Sequence, residues 1–593
     1  MSVRTSAVSV SRGPAETRRR GRAAVRGGGS ARRRAGGPAW DDRPVIDHPP
    51  ALTALLAEQG VDAARLYRVL AALADGAWWT PRDLVRATAV AHRRVDAVLT
   101  ALGGELERDG ERVRLVRADG YAGFARPEPA DPVAHLADAH PAAGAELRRL
   151  VAEAPRPRTD LDHVAATART ALRRGVFLAA RFALPGARLL CVGDHDLTSL
   201  ATTLVAPDAE AVVVDIDERM LDYIDAAAGR LGLPVRCHFA DLRLGLPPSV
   251  RGWGDLVFTD PPYTPEGVEL FVRRGLEGLA DPRRSRVLVA YGASETTPGL
   301  VARTQARLAR MHLVFEAVFP DFNRYLGAEA IGAASDLYVL RPTTRAPGAD
   351  RGEAARVYSR GANAKEASGG LGADAAREVL ERAGADTAVG AWPAEAAGPE
   401  VRRVGLGAWL EAPVAAHRAA VDLTGGWDAL LTRAVLASGA AETHVVVASS
   451  APEVRDAAGQ SRLRAAVEPA FAVRFLRGVP GPRTTVVVAR RHGPRDGAGA
   501  AERVLHHVLG RAHAPLGAAL REGLIRVSAE LGAPVNKKTA RTRLAAAAPW
   551  LPGHTLLDLP GHRFPALRAA VAAAVAVADL PGPADHPTDH PAD

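Results

Sequence analysis

The chain has 593 residues, enough for roughly three to five domains, and its 47% hydrophobic and 24% charged content is that of a globular protein. The net charge of +9 resides wholly in residues 1–40, which hold ten arginines and one acid, Glu16, so the rest of the chain is formally neutral and offers no basic stripe. Two cysteines, Cys191 and Cys237, exclude a disulfide scaffold and fit a reducing, cytoplasmic setting. The longest wholly apolar run, 569–578, is too short to cross a bilayer, and the arginine-rich start lacks the apolar stretch of a secretory signal.

Residues 1–42 are too rich in Gly, Arg, Ser and Ala to bury a core and are expected to be disordered. Such a tail suits loose contact with RNA or acidic surfaces, although a solvated extension is the simpler reading. Residues 43–125 have the pattern of a winged helix-turn-helix. One helix is expected over about 62–74, a second starting at Thr80 with Pro81 at its first position, and a third carrying His92, Val95, Val98, Leu99 and Leu102. An alternating hairpin around Asp109-Gly110 would form the wing. With only Arg93 and Arg94 as paired bases on the third helix, a packing or homodimerisation module is favoured over a DNA reader.

Proline-rich joints follow at 126–132 and 154–160. Within 126–345, apolar runs at 188–193, 211–215, 235–239, 255–259, 285–291, 312–319 and 336–341 alternate with helical patterns. That alternation predicts an α/β fold with a doubly wound, mostly parallel, Rossmann-like sheet. A linker over 346–370, a second α/β unit over 371–495, a helical region over 496–580 and a short disordered tail over 581–593 complete the chain. No catalytic constellation is visible beyond 346, and no repeated motif ties the second unit to the first.

Ligands of such sheets bind outside the carboxyl ends of the strands. There the central unit places Gly193-Asp194-His195-Asp196, then Asp215 and Asp217, then Asp241, then Asp260-Pro-Pro-Tyr263. Asp215 stands 22 residues after Gly193, near the spacing of a ribose-binding carboxylate. Singly, Asp196 and Asp217 could be helix N-caps. Jointly the acids define a nucleoside crevice, because clustered like charges call for a cation. The first loop has one glycine and two acids where a pyrophosphate or amino-acid carboxylate would need bare N–H groups. It therefore favours a ligand with a positive tail, such as decarboxylated S-adenosylmethionine, over S-adenosylmethionine itself. A pair of unit charges at ~4 Å is worth about 4 kcal/mol, before desolvation, at an effective dielectric near 20.

The segments GDHDLTSLA (193–201), VVVDIDERML (212–221), DLVFTDPPYTPEGVELFVRRGL (255–276) and DFNRY (321–325) resemble the bis(aminopropyl)spermidine synthase family, the branched-chain polyamine synthases, over roughly residues 45–345. His195 replaces the middle one of three acids usual there, and Tyr263 stands where an acid often follows Asp-Pro-Pro. The resemblance implies an N-terminal winged helix joined to a class I methyltransferase-type catalytic unit without a metal. It implies an aminopropyltransferase acting on a polyamine. Asp260 would be the catalytic carboxylate, with Gly193, Asp194, Asp196, Asp215, Asp217 and Asp241 around the co-substrate and Tyr263, Asn323 and Asp162 toward the acceptor. Two rival readings remain open. One is an S-adenosylmethionine-dependent amino-methyltransferase of nucleic acid that grips a flipped base with Asp-Pro-Pro-Tyr. The other is a non-catalytic nucleoside or polyamine sensor that binds DNA.

Overall fold

The structure, a computed structural model, describes residues 48–126, 131–293, 297–347 and 369–576. The tails expected at 1–42 and 581–593, and most of the linkers expected at 126–132 and 346–370, lie outside those residues.

The first element is a helix over Pro50–Gln59, which the periodicity did not single out. The helix Ala63–Leu73 follows, with Leu66, Val69, Leu70 and Leu73 buried along one stripe. Thr80 caps the helix Pro81–Thr88 by accepting the Asp83 N–H at 3.1 Å. The helix His92–Leu102 and the antiparallel pair β1 (Leu106–Asp109) and β2 (Arg112–Leu115) complete the group, with Gly110 supplying the positive φ of the turn. These elements pack within the chain against residues 321–333. Arg68 pairs with Asp321 at 3.0 Å and Arg82 with Glu329 at 2.7 Å, and a Cβ on Gly332 would lie 2.6 Å from the Ala89 carbonyl.

The central sheet has seven strands: β3 (Arg188–Val192), β4 (Glu210–Asp215), β5 (Val235–Phe239), β6 (Leu256–Thr259), β7 (Arg286–Tyr291), β8 (Leu313–Arg324) and β9 (Ala334–Pro342). Their order is β5-β4-β3-β6-β7-β9-β8. The first five are parallel, while β9 runs antiparallel to both β7 and β8. Strands covered on both faces are apolar throughout, as Leu190-Cys191-Val192 and Val212-Val213-Val214 are. This is the class I methyltransferase-like arrangement, and its crevice opens beyond β3 and β6, where the strand order reverses. Strand β8 runs five residues past the expected 319 and shifts register between Phe319 and Asn323, which carries Asn323 and Tyr325 to the crevice.

A second sheet contains β10 (Thr387–Val389), β11 (Arg402–Val404), β12 (Arg418–Asp422), β13 (Glu442–Ala448), β14 (Phe471–Arg477) and β15 (Thr484–Arg491), ordered β11-β10-β12-β13-β15-β14. Helices Ala500–Leu509, Leu516–Glu530, Lys537–Ala547 and Arg563–Ala576 follow. The segment between the last two helices covers the open edge of the central sheet, where the Phe239 N–H of β5 donates to the Asp558 carbonyl at 2.8 Å. One apolar cluster joins the two sheets, from Leu189 and Val213 to Val421, Leu509 and Leu567.

Candidate active site

At the end of β3 the chain turns through Gly193, whose φ of 73° suits a residue without a Cβ, and the Gly193 N–H donates to the Val214 carbonyl of β4 at 2.9 Å. Asp194 is buried and accepts the N–H groups of Thr198 (2.7 Å) and Ser199 (2.9 Å) at the start of the helix Thr198–Val205. The capping role expected of Asp196 therefore falls to Asp194, because Leu197 adopts left-handed backbone and swings the loop over. Burial pushes the Asp194 carboxyl up to about 7 against those hydrogen bonds. Asp217 does cap its helix, Glu218–Leu231, and pairs with Arg219 at 2.6 Å. Asp215 accepts the backbone N–H groups of Asp194 (3.1 Å) and Asp217 (2.9 Å), and Asp241 pairs with the buried Arg243 at 2.6 Å.

The densest contacts surround Asp260. Its Oδ1 accepts the Tyr263 hydroxyl at 3.0 Å, and its Oδ2 accepts the Tyr325 hydroxyl at 2.8 Å and Arg174 Nη2 at 2.6 Å. Arg174 is fully buried on the helix Ala168–Arg181. Its Nη1 also donates to Asp196 at 2.8 Å and its Nε to Asn323 Oδ1 at 2.8 Å. One further hydroxyl, that of Ser335, joins this group: the Tyr325 hydroxyl meets both Tyr263 (2.8 Å) and Ser335 (2.7 Å). Burial, with Asp196 close by, raises the Asp260 carboxyl to about 7 despite Arg174. Asp196 moves the opposite way: burial opposes its charge, but His195 and Arg174 outweigh that and hold it well below the usual carboxylate range. Like neighbours driven apart in pKa are a common sign of divided acid and base roles.

The expectation that the strand-end acids await a cationic ligand is revised by this geometry. Arg174, Arg219 and Arg243 each hold one or two of them. Arg174 and Tyr325 are the residues that sequence reasoning missed, though Tyr325 ends the quoted DFNRY segment. Arg174 carried no signal among 73 arginines; what aims it inward is close helix packing, since a Cβ on the adjacent Gly175 would lie 2.7 Å from the Ala201 carbonyl. Asn323 is buried with its amide spent on Ser335 and its oxygen on Arg174, which makes it a support for the site rather than a surface for an acceptor.

A cleft lined by Asp162, Gly193, His195, Asp215, Asp260 and Phe271 lies over the strand ends. His195 stacks face to face on His163 at 4.4 Å, and its Nε2 contacts the Val164 carbonyl at 2.6 Å. The two imidazoles also line a neighbouring cavity of about 390 Å³. The cleft itself encloses only about 30 Å³, room for a water or two, and Leu161, Asp162 and His163 form part of its lining.

Among the described residues, the ligand-type atoms of His238, His554 and Asp558 lie within 4.8 Å of one another, away from this cleft. Both imidazole Nδ1 atoms sit 3.2 Å from Asp558 Oδ1, and Ser249 and Thr555 hydroxyls fill Oδ2 at 2.8 and 2.7 Å. With its carboxylate so fully hydrogen-bonded, the group acts as a polar latch between β5 and the C-terminal segment.

Strand order and crevice together define a class I methyltransferase-like unit. Residues 144–347 match the family model described as branched-chain polyamine synthase A C-terminal domain. Curated relatives include an uncharacterised protein of Methanocaldococcus jannaschii, 33% identical over 201 residues (34% of this chain, 50% of that one). The N(4)-bis(aminopropyl)spermidine synthase of Thermococcus kodakarensis is 32% identical over 138 residues (23% and 39%), and that of Thermus thermophilus 41% over 96 residues (16% and 28%). The matches span half or less of each of these relatives. Among solved structures, the branched-chain polyamine synthase from Thermus thermophilus in complex with N4-aminopropylspermidine and 5'-methylthioadenosine aligns at 23% identity and a TM-score of 0.39, over 53% of this chain and 97% of that one.

Proposed function

We propose that the protein transfers an aminopropyl group from decarboxylated S-adenosylmethionine to a nitrogen of a polyamine such as spermidine, releasing methylthioadenosine. The observation that carries this reading is the Asp260 carboxylate, fixed by Tyr263, Tyr325 and Arg174 in a segment that matches the polyamine synthase family model. Tyr263, Tyr325 and Arg174 orient the Asp260 carboxyl, which lies beside the carboxyl of Asp196. The acceptor nitrogen surrenders its proton to Asp260 and attacks the carbon beside the sulfonium. The new C–N bond forms as the C–S bond breaks, and the electron pair returns to sulfur as the neutral thioether leaves. Asp260 then passes the proton to solvent.

In this reading Asp215 and Asp241 meet the ribose and adenine, Gly193 lets the backbone approach the co-substrate, and Asp162 faces the acceptor from the 158–164 segment. Asp194, Asp196 and Asp217 shape the crevice through the loop, Arg174 and the helix cap. The cations nearest the first loop, Arg174 and His195, are both engaged by Asp196, which leaves a coenzyme carboxylate no ready partner. Tyr263 speaks against the nucleic-acid methyltransferase alternative: its hydroxyl is turned in to Asp260 and its ring lies edge-on to Tyr291, not outward as a stacking platform.

Incubation with spermidine and either decarboxylated or intact S-adenosylmethionine, followed by mass spectrometry, is expected to give methylthioadenosine and aminopropylated amine from the former alone. S-adenosylhomocysteine as the product would overturn the reading. The pH profile supplies a second check. The base must be unprotonated to act and its carboxyl is raised to about 7, so kcat/KM is expected to climb about tenfold per pH unit below 7 and to level off above it. A profile already flat from pH 5 upward would remove Asp260 as the titrating base.

A further inference from the structure

The second sheet repeats the first. When β10, β11, β12, β13, β14 and β15 are set against β3, β4, β6, β7, β8 and β9, the order β11-β10-β12-β13-β15-β14 becomes that of the central sheet without β5. Directions agree at each pairing: β10–β11, β10–β12 and β12–β13 are parallel, and β13–β15 and β14–β15 antiparallel. The turn after the first strand agrees as well. Gly390 has a φ of 100° and its N–H donates to the Val404 carbonyl of β11 at 2.9 Å, the same bond that Gly193 makes to Val214 of β4.

The ligand-binding features have been erased from the repeat. Strand β11 is followed by Gly405 where β4 ends in Asp215, and with no counterpart of β5 there is none of Asp241. Trp392 is buried behind Gly390 with its indole N–H on the Val389 carbonyl at 2.8 Å. Asp422, at the place of Asp260, is buried and accepts both the N–H (2.9 Å) and the hydroxyl (2.7 Å) of Thr424. What remains is the loop after β12, the counterpart of the Asp-Pro-Pro-Tyr loop, and it reaches the first crevice. The Gly426 carbonyl accepts Arg243 Nη2 at 2.8 Å, and the Trp427 ring centroid lies 3.7 Å from the same guanidinium. Arg243 in turn grips Asp241 through Nε at 2.9 Å and Nη2 at 2.6 Å.

We infer that residues 369–491 are a silent second copy of the catalytic sheet whose Trp427 is a positioning residue, fixing Asp241 through Arg243 at the adenosine end of the active crevice. This rests on the assignment of Asp241 to the nucleoside under the proposed function. The test uses the full chain. Replacing Trp427 by Leu keeps an apolar, though smaller, side chain and removes the π face that attracts the guanidinium. Trp427→Leu is expected to weaken methylthioadenosine binding about tenfold by calorimetry and to raise KM for decarboxylated S-adenosylmethionine by the same factor, with kcat within twofold; Trp427→Phe is expected to restore most of the loss. Asp422→Asn is expected to leave kcat and KM unchanged. Wild-type binding of methylthioadenosine with no change in Trp427→Leu would overturn the positioning role alone. A tenfold loss of kcat in Asp422→Asn would overturn the silence of the copy. A wild type that does not bind methylthioadenosine would overturn the nucleoside assignment, and the positioning role with it.

Discussion

Asp260→Asn is expected to cut aminopropyl transfer by two to four orders of magnitude while leaving methylthioadenosine affinity within about threefold of wild type. The substitution preserves shape and keeps an oxygen for the Tyr325 hydroxyl, but an amide has almost no affinity for the proton that the attacking ammonium must shed. General-base contributions of about 10²–10⁴ set the range. Under the proposed function affinity should survive, because that reading puts Asp260 toward the acceptor and Asp215 and Asp241 toward the nucleoside. Steady-state rates and calorimetric titration on the same preparation separate the two effects. Turnover within threefold of wild type would dismiss Asp260 as the base.

The second large effect is expected at Arg174. Its guanidinium is the one ion-pair partner of Asp260 among the described residues and is wholly buried between Asp196, Asp260 and Asn323. Removing it in Arg174→Met leaves two carboxylates without their shared cation, and breaking a buried pair in this way costs about 3–5 kcal/mol. The midpoint of urea unfolding is expected to fall accordingly. The Asp260 carboxyl, already raised, should rise further and move the pH–rate profile alkaline in whatever protein folds. Arg174→Lys retains charge but cannot bond both carboxylates and the Asn323 oxygen from one planar fork, so intermediate stability is expected. An unchanged unfolding midpoint in Arg174→Met would show that the triad contributes nothing net.

These two residues mark what the amino-acid sequence could and could not reveal. Asp260 was legible because a short strand, Leu256-Val-Phe-Thr259, running into Asp-Pro-Pro has a position, a direction and a chemistry at once. Asp215 was legible by its spacing from Gly193. Arg174 was not, because its role depends on the close approach of two helices at Gly175 and Ala201, a long-range contact with no local signature. The central strands were found as apolar runs since both faces of each are covered. Strands β10 and β11 escaped notice because three residues are too few to show a period, and β14 because arginines interrupt it at Arg474 and Arg477. The duplication was hidden for a related reason: strand order is conserved between the two sheets by backbone geometry, while the residues that would reveal a repeat are those erased with the ligand site.

The latch of His238 and Asp558 spans 320 positions of the chain. At about 5–20 residues per second of synthesis, the edge of β5 emerges from the ribosome up to about a minute before the segment that covers it. During that interval a row of unsatisfied amides and the apolar flank around Phe239 lie open to neighbouring nascent chains. Heterologous production should therefore gain more from abundant chaperone than from any change at the candidate cleft, and truncation before residue 558 should yield aggregates in place of a smaller folded protein.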